Sequence, residues 1–292
     1  MTNIIRQARL DDKDELRGIW NSVFGDTNEE IDRFFDSYFE KCVTIVSETK
    51  ESLSAAGYLI PAGSIAMHDI CVPCGMIYSV ATLPEHRGQG LGAKIVRELI
   101  TTGYETGFEA IVLCPSDDLL FGFYSARTDL QEYFYVEETL YKHEDILMPA
   151  DSIELAVVDA DEYVDLREVI LADTPHIKFD HRAISYQKSL CKHSGGGLLR
   201  LDSHGGMACA ITETQPGGEL RINELLVSGL QPEEALKAIS KEYPAPVYLT
   251  RTPARLPMDS AKTRRFGMLV SRSPELLTGV SHTAPFYGLA FD

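Results

Sequence analysis

Basic residues are scarce in this chain. Lysine and arginine total 27 against 44 aspartates and glutamates, a formal net charge of −17 over 292 residues. A nucleic-acid-binding surface needs lysine and arginine to neutralise phosphates, so no nucleic acid is expected as a partner. Long apolar runs are also missing. No stretch of about 18 apolar residues occurs, so no membrane span and no membrane partner are expected. The opening MTNIIRQARLDDKDEL is polar and lacks the apolar core of a signal peptide, which points to a cytoplasmic protein. Cysteine is sparse and scattered, at 42, 71, 74, 114, 191 and 209, a spacing unlike a disulfide framework. His68, Cys71 and Cys74 are near enough in sequence to raise zinc. No second Cys/His pair follows at finger spacing, so no metal is expected. No Gly-x-Ser-x-Gly elbow is present, which removes the α/β-hydrolase type of serine chemistry.

What is there is an ordinary globular composition, 44% hydrophobic and 24% charged, in a chain long enough for two domains. An acidic surface of this kind either simply keeps the protein in solution or attracts a cationic small molecule, such as an amine or polyamine. The stretch that organises the chain is IYSVATLPEHRGQGLGAKIVREL, residues 77–99. It reads as a buried strand at 77–83, the turn Pro84-Glu85-His86, and a glycine-rich loop opening into a helix. Leu91, Ile95, Val96, Leu99 and Ile100 fall on one helical face. Gly88, Gly90 and Gly92 let backbone N–H groups approach a ligand, and the first N–H groups of the helix have no intrahelical partner. With Arg87 as a cation at the mouth, this is a site for a pyrophosphate. A P-loop would need Gly-Lys-Ser/Thr, yet Lys94 stands between Ala93 and Ile95. A dinucleotide loop would need Gly-x-Gly-x-x-Gly directly off the strand, and neither the spacing nor the intervening turn allows it.

Around this stretch, residues 4–8 read as a strand, and Asp11 with Asp14 as a capping pair before a helix bearing Leu16, Ile19, Trp20 and Phe24. A helix at 28–40 presents Ile31, Phe34, Phe35, Tyr38 and Phe39, mostly core with some able to wall a substrate pocket. Strands are expected at 43–47, 53–60, 65–72 and 109–114, and a closing strand at 132–141. Ser116 or Asp117 caps a helix running through Phe123 and Tyr124. Met148-Pro149-Ala150-Asp151 reads as a linker, dividing the chain into domains 1–147 and 151–292. The second half repeats the order of the first: strands, a central apolar strand at 219–227, a helix at 232–243 and a strand at 247–250. Its loop has become Ser228-Gly229-Leu230-Gln231-Pro232-Glu233-Glu234, and two glutamates in a first helical turn repel a pyrophosphate.

Arg87-Gly88-Gln89-Gly90-Leu91-Gly92, after a strand and proline turn, resembles the acetyl-CoA loop of the GCN5-related N-acetyltransferases (GNAT). An intact copy followed by a degenerate one resembles the Eis-like acetyltransferases and their shorter two-domain bacterial relatives. The larger members carry a third domain for which this chain has no room. The fold implied is α/β (α+β): tandem GNAT-type mixed sheets flanked by helices, the second copy degenerate. The resemblance implies acetyl-CoA as co-substrate and direct acetyl transfer to a small-molecule or peptide amine acceptor. It assigns the backbone of Val80, Ala81 and Thr82 to the pantetheine amides, and Arg87 with the amides of Gly88, Gln89, Gly90, Leu91, Gly92 and Ala93 to the pyrophosphate. Tyr124 becomes the proton donor to the departing thiolate. The family continues Arg-x-x-Gly-Phe, whereas Arg127-Thr128-Asp129-Leu130 lacks the glycine. Many relatives place a glutamate on the central strand, and residues 76–80 hold no carboxylate. By the same resemblance, Asp292, through its α-carboxylate, serves as base or as anchor for a cationic amine. An acyl-CoA-binding sensor without transferase activity stays open as the alternative, as does assembly into a homo-oligomer.

Overall fold

The computed structural model describes residues 3–50, 52–67, 69–146, 153–255, 262–278 and 284–291. They form two compact units. The first comprises Met1–Ile65, Cys71–Tyr133 and Gly267–Thr278; the second comprises Ala66–Ile70, Phe134–Phe266 and Gly279–Asp292. Among the described residues, no helix is long and apolar enough to cross a membrane.

The chain begins with β1 (Ile4–Gln7), α1 (Lys13–Phe24), α2 (Asn28–Tyr38) and β2 (Val43–Glu48). It continues with β3 (Leu53–Met67), β4 (Ile70–Thr82), α3 (Leu91–Glu105), β5 (Ala110–Leu113), α4 (Asp118–Ser125) and β6 (Gln131–Lys142). The start of α1 is set by Arg9 N–H donating to Asp12 Oδ2 at 2.6 Å, two positions before the expected Asp11–Asp14 pair. A single 3-10 turn over Leu10–Asp12 precedes the helix and displaces its cap. The α2 cap is a reciprocal Thr27–Glu30 box, with bonds of 2.7 and 3.3 Å. The three strands expected between 53 and 83 are two long ones, because Pro61 and Gly63 are accommodated inside β3, the glycine at φ +96°.

In the first unit the strands lie in the order β1-β2-β3-β4-β5. Neighbours are antiparallel at β1–β2 and β2–β3, and parallel at β4–β5, the pair that α3 connects. One side of this sheet carries α3: Leu91, Ile95, Val96, Leu99 and Ile100 are buried with Ile77, Leu113, Phe121, Tyr124 and Leu130. Burial of each such side chain stabilises by about 1.5–3 kcal/mol. A separate layer, under α1 and α2, is rich in aromatic rings. Trp20 of α1 and Phe34 of α2 pack on Tyr58 of β3 and Tyr78 of β4, with ring centroids 5.0–5.9 Å apart.

The second half continues with β7 (Glu154–Val157), α5 (Ala160–Ile170), β8 (His176–Lys178) and α6 (His181–His193). Then come β9 (Gly197–Ser203), β10 (Gly206–Thr214), β11 (Leu220–Ser228) and α7 (Pro232–Glu242). The last elements are β12 (Val247–Pro253), β13 (Thr263–Ser271) and α8 (Pro274–Thr278). In the second unit the order is β7-β9-β10-β11-β12-β6. Here α7 buries Ala235, Leu236 and Ile239 on Leu199, Leu201, Leu220 and Ile222. From Gly267 onward β13 belongs to the first unit, where it pairs antiparallel with β5, Met268 opposite Leu113.

The two units share one device. Each central strand pairs in parallel with its neighbour over a few residues and then leaves it: β4–β5 ends at Ile77↔Leu113, β11–β12 at Ile222↔Thr250. Just beyond that point each strand is irregular, at Ser79 (φ +51°) in β4 and at Asn223 in β11, which no β10 residue faces. These are tandem mixed sheets flanked by helices.

Candidate active site

The opening beside β4 follows from its bulge. Ile77 and Val80 both pack in the α3-side core, though a regular strand places only even-spaced residues on one face. Ser79 absorbs the odd residue in the left-handed region, which few non-glycine residues enter. Past Ile77 the strand has no register partner on β5, while Leu83 N–H still bonds Ser54 O at 3.0 Å on the β3 side. The backbone of Val80, Ala81 and Thr82 therefore lines a split between parallel strands. Val80 is partly buried, and Ala81 is 3% exposed.

The loop after β4 turns through Pro84–His86, with Arg87 N–H bonding Pro84 O at 3.2 Å. The Arg87 guanidinium is exposed and tethered through Nε to Thr82 O at 3.3 Å. Gln89 is exposed and accepts from Asn3 Nδ2 at 3.3 Å. Gly88 and Gly90 stand at φ +77° and +70°, and a Cβ on either would meet nothing within 4 Å. Backbone conformation, and not crowding, requires glycine there. Gly90 is the N-cap of α3 and lends no side-chain bond; the first intrahelical bond, Lys94 N–H to Gly90 O, is 3.2 Å long. The N–H groups of Leu91, Gly92 and Ala93 precede it, and no acidic residue occupies the first turn. Leu91 and Ala93 are each 2% exposed, so their side chains anchor the turn while its backbone faces out. An uncapped helix end with a tethered arginine beside it has the geometry and charge of a candidate anion site.

Tyr124 comes to the same core from α4. Asp117 Oδ1 caps that helix, accepting from Leu119 and Leu120 N–H at 2.8 and 3.2 Å. Tyr124 is 7% exposed and packs in the cluster that holds Leu91, Val96 and Val80. Among the described residues, none hydrogen-bonds its hydroxyl. Burial, reinforced by the Asp117 charge, pushes the phenol up to about 12. At neutral pH it holds its proton and can only donate it. The glycine missing after Arg127 is replaced by a polar stop: Thr128 N–H and Oγ1 both bond Tyr124 O at 2.8 Å.

The structure thus gathers Val80, Ala81, Thr82, Arg87, the loop amides and Tyr124 within the first unit. Asp292 lies outside the described residues. Ile31, Phe34, Phe35 and Tyr38 are core, at most 3% exposed, while Phe39 is half-buried and lines, with an edge of Phe35, a pocket bordered by Lys13, Asp36 and Lys41. Sequence reasoning missed Ser79, since nothing in Tyr78-Ser79-Val80 marks a left-handed residue. The matching helix end in the second unit is closed. Pro232 opens α7, Gln231 and Glu234 form a reciprocal box with Gln231 N–H to Glu234 Oε2 at 2.9 Å, and Glu233 adds charge. The α7 end is thus blocked and acidic where the α3 end is open.

Comparison with known proteins bears on the fold. Residues 4–127 match the model of an acetyltransferase (GNAT) domain. Among solved structures, a protein of Enterococcus faecalis V583 described as a probable N-acyltransferase superposes with a TM-score of 0.71 at 15% identity, over 95% of this chain and 74% of that one. Eis1 from Mycobacterium abscessus superposes at 0.61 with 11% identity, over 92% and 73%. A tandem GNAT protein from the clavulanic acid biosynthesis pathway gives 0.57 at 9%, over 92% of this chain and 98% of its own. At these identities the likeness is one of fold, and it extends through both units.

Proposed function

From the match of residues 4–127 to an acetyltransferase (GNAT) domain, we propose that the chain moves an acetyl group from acetyl-CoA directly to a primary amine of a small cationic or peptide substrate. The observation that carries this reading is the uncapped, acid-free N-terminus of α3 sharing one core with Tyr124. Acetyl-CoA supplies the acyl group as a thioester. Arg87 and the N–H groups of Gly88 to Ala93 hold its pyrophosphate, and the backbone of Val80 to Thr82 orients its pantetheine arm. Tyr124 gives its proton to the sulfur as the carbon–sulfur bond breaks, so no free thiolate has to leave. An attacking ammonium must first lose a proton, and Asp292 is the carboxylate proposed to accept it. The formal charge of −17 favours a cationic acceptor.

The test is release of CoA thiol in the presence of a panel of amines, measured for the wild type and for Tyr124→Phe. Loss of a positioned acid costs typically 10²–10⁴-fold; a thiol with pKa of about 8.5 is a fair leaving group, so the expected fall in kcat is about 100-fold. Acetyl-CoA affinity should be unchanged, and equal turnover by the variant would remove Tyr124 from the mechanism. A sensor is the second reading, favoured by the aromatic packing of Trp20, Phe34, Tyr58 and Tyr78 between α2 and β4, where an acceptor would otherwise enter. Binding of acetyl-CoA without CoA release from any amine would select it.

A further inference from the structure

The second unit brings an aspartate, a histidine and a serine into one hydrogen-bonded line, where the starts of two helices meet. α5 begins beside Asp159, whose Oδ1 accepts from Glu162 N–H at 2.9 Å; α6 begins beside Asp180, whose Oδ1 accepts from Ala183 N–H at 2.8 Å. Each cap fixes a first turn, and those turns carry Asp161 and His181. His181 Nδ1 bonds Asp161 Oδ1, and His181 Nε2 bonds Ser185 Oγ at 3.1 Å. Ser185 follows His181 by one helical turn on α6, the spacing that puts two side chains on one face. Ala183, Ile184, Tyr186 and Gln187 are buried and anchor the helix, so the line stands on a fixed element.

The chemistry follows from which atoms face each other. A carboxylate oxygen only accepts, so the proton of a neutral imidazole sits on Nδ1 and leaves the Nε2 lone pair to the Ser185 hydroxyl. In this arrangement a histidine takes the proton of an attacking serine while a carboxylate orients the ring. The oxyanion formed in such an attack needs positive charge nearby. Arg182 and Lys188 stand three residues before and after Ser185, as its neighbours on the helix surface. Among the described residues neither makes a hydrogen bond or an ion pair. Ser185 stands inside a helix, not on a strand-to-helix elbow, and the line is open to solvent: the His181 side chain is 61% exposed and that of Asp161 78%. An open face selects by reactivity more than by shape, which makes a small activated ester the substrate class it fits.

We propose that Asp161, His181 and Ser185 form a second, hydrolytic centre for small activated acyl esters, with Ser185 as nucleophile, His181 as base and Asp161 as positioning residue. It does not rest on the acetyl-transfer reading. Ser185 Oγ bonds the ester carbonyl carbon as its proton passes to His181 Nε2. The carbon–oxygen bond to the alcohol then breaks, the departing oxygen takes that proton, and an acyl-serine remains. Water follows the same path and frees the serine, so one ester and one water give one acid and one alcohol. The test uses the full chain with 4-nitrophenyl acetate, and with a fluorophosphonate probe that reacts with activated serines, the labelled residue being read by mass spectrometry. The wild type should release nitrophenol and carry the phosphonyl group on Ser185. Ser185→Ala should lose both, and His181→Ala should slow labelling about 100-fold, the low end for removal of a base. Asp161→Asn should lower kcat for the ester about tenfold with KM unchanged, since an exposed carboxylate contributes less than a buried one. An unlabelled Ser185 in the wild type, or equal labelling in His181→Ala, would overturn the proposal. Ester hydrolysis persisting in Ser185→Ala would overturn it as well, because other surface groups would then be the nucleophiles.

Discussion

Replacing Gly90 separates the two things that residue does. It holds φ +70° as the N-cap of α3, and its missing side chain leaves the helix end neutral and open. Gly90→Ala introduces the backbone strain alone, since the new Cβ would meet nothing within 4 Å. A left-handed non-glycine residue costs about 1–2 kcal/mol, which bears on folding rather than on a bound phosphate. Gly90→Glu adds a carboxylate beside the pyrophosphate position. Two unit charges about 5 Å apart repel by about 0.8 kcal/mol in water and about 3 kcal/mol at an effective dielectric of 20. A pyrophosphate carries about two charges and the loop is exposed, so the lower figure doubled, about 1.7 kcal/mol, is the floor; that is at least a tenfold loss of affinity. Urea unfolding and calorimetric titration with acetyl-CoA should therefore dissociate. Both variants lose similar stability, Gly90→Ala loses less than about tenfold in affinity, and Gly90→Glu loses tenfold to a thousandfold. Equal affinity in Gly90→Glu and wild type would place the pyrophosphate elsewhere.

Two further outcomes concern stability. A Cβ on Gly103 would stand 2.5 Å from Leu59 Cδ2 and 2.8 Å from Ile111 Cδ1, so Gly103→Ala should destabilise by about 1–3 kcal/mol in denaturant while leaving acetyl-CoA affinity of the folded protein intact. In the second unit, burial alone would raise the Glu168 carboxyl, but hydrogen bonds from His176 and Lys178 outweigh it and hold it at about 2, below its ordinary 4.5. A depressed carboxyl contributes stability that is present above pH 4.5 and lost as pH falls towards 2, at most about 3 kcal/mol here. Unfolding followed from pH 7 to 3 should show that acid limb, and Glu168→Gln should flatten it; an unchanged slope would refute the assignment.

Much of the candidate site was legible because its signals are local. The run Arg87-Gly88-Gln89-Gly90-Leu91-Gly92 states both its backbone conformation and its charge, and the α3 face follows from apolar spacing. The closed end of α7 was readable for the same reason, since Pro232, Glu233 and Glu234 act within one helical turn. What escaped depends on contacts distant in sequence. Ser79 enters the left-handed region because β4 must leave β5 while Val80 stays in the core, and no residue type records that demand. Glu224 of β11 and Arg167 of α5 form a buried ion pair across 57 positions of sequence, and only the fold brings them together. The strand β13 was not anticipated, though Phe266-Gly267-Met268-Leu269-Val270 is apolar enough; that its second half joins β5 has no signature in composition.

The most direct test of the account is the stoichiometry of acetyl-CoA binding to the wild-type chain, by calorimetric titration. One α3 end is open and the corresponding α7 end is capped and acidic, so one molecule per chain is predicted. No binding would mean that the loop of Gly88 to Gly92 is only a turn, and two equivalent sites would mean that the second copy had kept what its sequence and its helix cap deny.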